Sequence, residues 1–302
     1  MRNPESKLEA TLPTIGVFDS GFGGLTVLRA LLARLPGARF AFIGDTARLP
    51  YGSKSRRTIA RYAAQSAQFL VREQGAEFLV IACNTASALA LDAIQDAVPV
   101  PVLGVIEPGA EAARAASRTG DVLVIATDAT VQSHAYAAAC KARGLRTLEK
   151  ACPLLVPLVE EGWTGPLIAN EASAAQAASA PQQVAVTAEV IRIYLAELTA
   201  EAAAQGMNPD TLVLGCTHYP LLRPLIEAAV PVGMRVIDSA EATAETAMHL
   251  FNGHVTPLAA GTAGEQAQIR CFATDSVDKF ERLGSRFLRR PTGKVELVDL
   301  GG

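Results

Sequence analysis

Two stretches decide the reading of this chain: Val80-Ile81-Ala82-Cys83-Asn84-Thr85 and Val213-Leu214-Gly215-Cys216-Thr217-His218. Each is a short apolar run that halts at a cysteine and passes into polar residues, as a buried parallel strand does where it hands over to a helix. Comparable runs stand at Ile15–Phe18, Phe40–Ile43, Phe78–Ala82, Val102–Ile106, Val122–Ala126 and Leu212–Leu214. Helical periods separate them. Leu25, Leu28, Leu31, Leu32 and Leu35 recur at three- and four-residue steps until Pro36-Gly37 ends the pattern. Further helices are predicted at Ser55–Gln74, Ala86–Ala97, Val131–Ala142, Val184–Ala204 and Leu221–Ala229. The alternation predicts an α/β fold of two pseudo-symmetric, doubly wound parallel-sheet domains facing a central cleft. One domain takes residues 14–106 and 219–280, the other 107–218, with 281–302 packed on the first domain or loosely ordered. Between Gly162 and Gln183 the composition turns to Gly, Pro, Ala, Ser and Asn without a period, which predicts a loop or loosely helical insertion.

Bulk properties narrow the function. The 302 residues, half of them hydrophobic, are enough to bury a large core. A net charge of −3 with both signs scattered provides no basic stripe for phosphates, so no nucleic-acid partner is expected. Met1 to Pro13 is polar, without the apolar stretch of a signal peptide, and no later run is long enough to span a bilayer. A cytoplasmic location without membrane contact is the expectation. Five cysteines, an odd number in a long chain, argue against a disulfide framework and leave each thiol to be judged by its surroundings.

Those surroundings single out two thiols. Ligands of open parallel sheets bind beyond the carboxyl ends of the strands, and Cys83 and Cys216 both stand there. A helix N-terminus favours the thiolate and makes such a cysteine a usable base. A lone cysteine ending an apolar strand is more often a small buried hydrophobe. Two of them in matching contexts, each followed by polar residues, outweigh that reading. Cys140, Cys152 and Cys271 lack such a context and read as core or surface thiols. Soft-metal ligation by Cys83, Cys216 and His218 is the competing idea, but ligands this far apart, with no Cys-x-x-Cys pair, do not have the spacing of a zinc site.

The first strand exit, Asp19-Ser20-Gly21-Phe22-Gly23-Gly24, has the glycines of an anion-binding turn but no P-loop lysine, and its acid would repel phosphate. Asp19 suits a ligand amino group, or else caps the helix. Gly44-Asp45-Thr46 leads to Leu49-Pro50-Tyr51-Gly52, a turn that would present a phenol and backbone donors to the same cleft, while Asp45 alone could be a cap.

Taken in order, Phe18 to Gly24, Gly44-Asp45-Thr46 with Leu49-Pro50-Tyr51-Gly52, Ala82-Cys83-Asn84-Thr85-Ala86 and Gly215-Cys216-Thr217-His218-Tyr219-Pro220 resemble the glutamate racemases of the aspartate/glutamate racemase superfamily. Weaker similarity lies in Ala126-Thr127 with Thr130-Val131 and Ser133, in Pro153 with Val156 to Glu160, and in Asp238-Ser239. The resemblance implies interconversion of L- and D-glutamate without pyridoxal phosphate, supplying D-glutamate to bacterial peptidoglycan, by a homodimer. It implies Cys83 and Cys216 as the two acid/base groups, Asp19 assisting Cys83, and His218 with Glu160 assisting Cys216. Substrate carboxylates would be met by amides and hydroxyls of Ser20, Gly52, Asn84, Thr85 and Thr217, with Tyr51, Thr127 and Thr130 beside them. No cofactor and no metal is implied, and no lysine lies beside the Cys83 and Cys216 motifs to hold pyridoxal as a Schiff base. Aspartate racemase is the alternative within the superfamily. Three features depart from the pattern: Phe22 replaces a smaller aliphatic residue, Asp128 a neutral one, and the segment after Glu160 is longer.

Overall fold

The apolar runs do become strands, and their ladder orders set the site. The computed structural model describes residues 13–164, 174–254 and 267–301. In chain order they form β1 (Thr14–Asp19), α1 (Leu25–Arg34), β2 (Arg39–Gly44), α2 (Arg56–Arg72), β3 (Phe78–Ile81), α3 (Asn84–Leu89), α4 (Leu91–Ala97) and β4 (Val102–Gly104). Then come α5 (Ile106–Ala116), β5 (Asp121–Ala126), α6 (Asp128–Ser133), α7 (Ala135–Ala142), β6 (Arg146–Ala151), α8 (Leu155–Glu160), α9 (Ala174–Ala204) and β7 (Thr211–Gly215). Last are α10 (Arg223–Ala229), β8 (Arg235–Asp238), α11 (Ser239–His254), β9 (Ile269–Ala273), α12 (Val277–Leu288) and β10 (Val295–Leu297).

Two all-parallel sheets result, ordered β10-β9-β2-β1-β3-β4 and β6-β5-β7-β8. The second repeats the order β2-β1-β3-β4 found within the first. In each, the chain leaves a central strand to one side and then crosses to the other, so the strand order reverses between β1 and β3 and again between β5 and β7. Ligands of doubly wound sheets sit at this reversal. β1 leads out to Asp19, β3 to Cys83, β5 to Thr127 and β7 to Cys216. β1, β3, β5 and β7 are buried along their whole length, which explains why they read as unbroken apolar runs.

Three expectations need correction: the place of 219–280 and the spans of two helices. Residues 219–280 were expected with the first domain, yet Arg235–Asp238 pairs with β7 in the second sheet. The crossover through α10 makes an ordinary βαβ unit there, and the chain rejoins the first sheet only at β9. The predicted helix 86–97 breaks at Ala90 (φ −138°), and that at 131–142 breaks at His134, which is left-handed with φ 54°. The insertion predicted at 162–183 is helical from Ala174 onward, and residues 165–173 lie outside the described part. From 281 onward, α12 packs against α1, and β10 pairs with β9.

The two sheets are tied together around the strand exits. Thr26, on the first turn of α1, donates to the carbonyls of Gly23 and Thr217, both at 3.0 Å, and is fully buried. Tyr136 of α7 donates to Asn84 Oδ1 at 2.7 Å. The hydroxyls of Thr85, Thr127 and Thr130 form a closed ring with separations of 2.9–3.3 Å.

Thr26→Val keeps the shape but strips a buried carbonyl of its donor, an arrangement that costs about 1–3 kcal/mol. Urea unfolding should show that loss as a lower midpoint at unchanged slope, whereas an unchanged midpoint would mean the hydroxyl is no tie between the sheets.

Candidate active site

Close approach explains the glycines of the first strand exit. A Cβ on Gly24 would stand 2.5 Å from Asp19 Cβ and 2.8 Å from Ala82 Cβ. On Gly23 it would stand 2.4 Å from Thr217 Oγ1 and 2.6 Å from His218 Nδ1. The turn is therefore pressed against the exits of β1 and β7 together. This brings Asp19 of one sheet within electrostatic reach of His218 beyond the other.

Cys83 is the N-cap of α3, its sulfur accepting from Ala86 N and donating to Ser20 Oγ, both at 3.4 Å. The expected thiolate-favouring effect of the helix is outweighed here. Burial, and then the negative charge of Asp19, push the thiol up to about 12 against the pull of Ser20 and Ala86. Asp19 is itself raised by burial, with His218 and the amides of Gly24, Gly21 and Ser20 drawing it back. Gly21 N donates to its Oδ2 at 3.0 Å, while Oδ1 has no partner among the described residues.

Cys216 lies in a different setting. It precedes a 3₁₀ turn, Tyr219–Leu222, rather than an α-helix, and its neighbour is an imidazole: His218 Nδ1 is 3.9 Å from the sulfur. His218 Nε2 meets Glu160 Oε1 at 3.3 Å. Burial pushes His218 down, but Cys216 and Glu160, through hydrogen bonds and charge, push it up to about 10. Glu160 is raised by burial and lowered further by His218 and Lys279, ending below its usual range. Phe22 and Phe287 flank the imidazole with ring centroids 6.2 and 5.0 Å away. Phe22 therefore fills a buried aromatic cluster beside His218 instead of crowding the turn, and Asp128 is exposed at the start of α6.

Tyr51 does not offer its hydroxyl to the cleft. The phenol donates to Asp45 Oδ2 at 2.5 Å, and burial followed by the Asp45 charge raises its pKa. Asp45 is fully buried and also accepts from Arg48 Nε and Thr274 Oγ1, so it anchors Tyr51 and caps nothing. The turn that carries Gly52 packs against α6 of the other sheet. Asn84, 3% exposed, accepts from Tyr136 but leaves Nδ2 without a partner among the described residues. Thr217 Oγ1 lies 3.4 Å from His218 Nδ1.

Cys83, Asp19, Ser20, Asn84, Thr85, Thr127, Thr130, Cys216, Thr217, His218 and Glu160 thus lie about one junction of the two sheets. Cys140, Cys152 and Cys271 are buried and unpaired. Lys279, Phe287 and Tyr136 also reach this junction and were not foreseen. The spacing of Phe280, Leu283, Gly284 and Phe287 marks an amphipathic helix that could have pointed to the first two, while nothing local marks Tyr136.

Fold and site define a class: a two-sheet α/β protein with a buried thiol at the strand-order reversal of each sheet. Residues 15–247 match the family model described as Asp/Glu/Hydantoin racemase. A glutamate racemase of Koribacter versatilis is 50% identical over 96% of this chain and 98% of its own. Among solved structures, a glutamate racemase isoform from Bacillus anthracis superposes with TM-score 0.80 at 34% identity, covering 95% of this chain and 98% of that one. The Francisella tularensis glutamate racemase, in complex with D-glutamate, gives 0.77 at 33% identity with the same coverage. The chain belongs to the Asp/Glu/Hydantoin racemase family, among its glutamate racemases.

An imidazole held up near 10 is doubly protonated at pH 8. Because the shift is upward from 6.5, its contribution to stability is fully present below that pH and is lost as pH rises through about 10. In ¹⁵N-histidine spectra, His218, assigned by its loss in His218→Asn, should keep imidazolium shifts at pH 8. A neutral-ring signature at that pH would refute the Cys216–His218–Glu160 assignment.

Proposed function

We propose that the protein racemises glutamate with Cys216 and Cys83 acting on opposite faces of the α-carbon. What carries this reading is the pair of unspent groups beside Cys83. Asp19 Oδ1 is a buried acceptor without a donor, and Asn84 Nδ2 a buried donor without an acceptor, among the described residues. An α-amino acid supplies the two complements, an ammonium and a carboxylate.

Binding follows from this pairing. The ammonium neutralises Asp19, and the carboxylates take Asn84 Nδ2, the Gly52 amide and the hydroxyls of Ser20, Thr85, Thr127, Thr130 and Thr217. Tyr51 holds the Gly52 turn through Asp45. In one direction the Cys216 sulfur takes the α-proton: the C–H bond breaks, an S–H bond forms, and its electron pair passes to the carboxylate-stabilised carbanion. The Cys83 thiol, protonated because of its burial, then releases its proton to the opposite face. His218 and Glu160 serve the first step by balancing charge at Cys216. In the other direction Cys83 must become the base. Its thiol proton passes to the Asp19 carboxylate, the Cys83 thiolate takes the α-proton, and Cys216, protonated from the His218 imidazolium, releases its proton to the opposite face.

The reaction as written calls for neither pyridoxal nor metal. By the resemblance, L-glutamate faces Cys216 and D-glutamate faces Cys83, the product feeds peptidoglycan, and the working form is a cytoplasmic homodimer. No helix among the described residues is long and apolar enough to cross a membrane.

Circular dichroism of protein dialysed against EDTA and treated with hydroxylamine should decay toward zero from either glutamate enantiomer and stay constant with aspartate. Decay with aspartate alone would make the substrate reading wrong. Cys83→Ser and Cys216→Ser should each lower kcat/KM by at least about 10²–10⁴-fold, the scale of one general acid or base. Each variant should still eliminate from one enantiomer of an N-hydroxy or β-chloro glutamate, with opposite choices in the two variants. The same preference in both would refute the two-face model.

A further inference from the structure

The Glu160 carboxylate closes α8, where the negative end of the helix dipole opposes a carboxylate. One of its oxygens, Oε1, meets His218 Nε2 at 3.3 Å. The other, Oε2, faces Lys279 Nζ of α12 at 3.6 Å. The lysine ammonium stands 5.6 Å over the ring of Phe22, whose other neighbours include His218. Lys279 thus comes to the site from beyond the matched family span, on a helix that also supplies Phe287 against the imidazole.

We propose that Lys279 is a positioning residue for the Cys216 arm: it holds the ionised Glu160 carboxylate so that the remaining oxygen keeps His218 against the Cys216 sulfur. This rests on the racemase reading above. Lys279 touches no reacting atom and acts only through Glu160. The charged and titratable groups facing this carboxylate are His218, with Cys216 and Asp19 behind it, and Lys279 from α12; Arg286 of the same helix lies beside Gly162, just past the end of α8. Glu161 adjoins it in sequence and is exposed. Burial opposes the ionised form of Glu160, and Lys279 is one of the two cations that restore it.

The test compares wild type, Lys279→Met and Lys279→Arg as full-length protein. Racemisation has an equilibrium constant of one, so kcat/KM is the same from both enantiomers and cannot show which thiol is impaired. Isotope effects can. With [2-²H]glutamate, Lys279→Met should raise the primary isotope effect for the enantiomer deprotonated by Cys216 and lower it for the other, because only one of the two proton transfers becomes slower. Its acid limb of kcat/KM should move to higher pH by about 0.5–1 unit, a shift discounted for the half-exposed ammonium. Lys279→Arg should restore both. Isotope effects and acid limb that match wild type, or isotope effects that change equally for both enantiomers, would overturn the proposal even if thermal stability falls. A wild-type protein inert toward glutamate would overturn the underlying racemase reading instead, whatever the variants do.

Discussion

The site depends on the absence of side chains at Gly23 and Gly24. The first turn of α1 lies so close to Asp19, Ala82, Thr217 and His218 that no Cβ fits, and Thr26 fixes the contact by reaching the Thr217 carbonyl. Without that contact, the exits of β1 and β7 belong to separate sheets. With it, an acid from one sheet and an imidazole from the other share an electrostatic environment. The glycine-rich turn serves packing between the two halves, a use quite different from the anion cradle that its composition also suggests.

From this junction follows an asymmetry in the chemistry. Both thiols are buried, yet their neighbours differ: a carboxylate for Cys83 and an imidazole for Cys216. A negative neighbour and low polarity keep the first protonated, while the second stands against a ring held cationic by its surroundings. In the proposed mechanism the first thiol gives its proton and the second takes one.

The fold was legible where strands are wholly buried. β1, β3, β5 and β7 are apolar from end to end and sit beside the reversals of strand order, so the strands nearest the chemistry were also the plainest in the sequence. β6, Arg-Thr-Leu-Glu-Lys-Ala, is an edge strand with no fully buried residue and lacks that signal; β8, at the other edge of the same sheet, is four residues long. Which sheet β8 joins is a matter of crossover geometry that composition does not encode. The thiols, Asp19 and His218 were visible as strand-exit residues. Charge balance was not, since the rise of Cys83 comes from burial and from a residue 64 positions away in sequence, and the partner of Glu160 is Lys279 on the C-terminal helix. The Asp45–Tyr51 pair likewise reverses a local reading: a residue placed to cap a turn is used to hold a phenol.

Two thiols on opposite faces leave a signature that no single-base enzyme shares: the proton taken from substrate and the proton given to product are different atoms. Racemisation of unlabelled L-glutamate in D₂O, stopped at low conversion, measures this directly by mass spectrometry of the separated enantiomers. The account predicts that the D-glutamate formed carries one deuterium at the α-carbon while the remaining L-glutamate stays protiated, with the same outcome when D-glutamate is the starting material. Product that keeps the original proton, or recovered substrate that gains deuterium as fast as product forms, would contradict it.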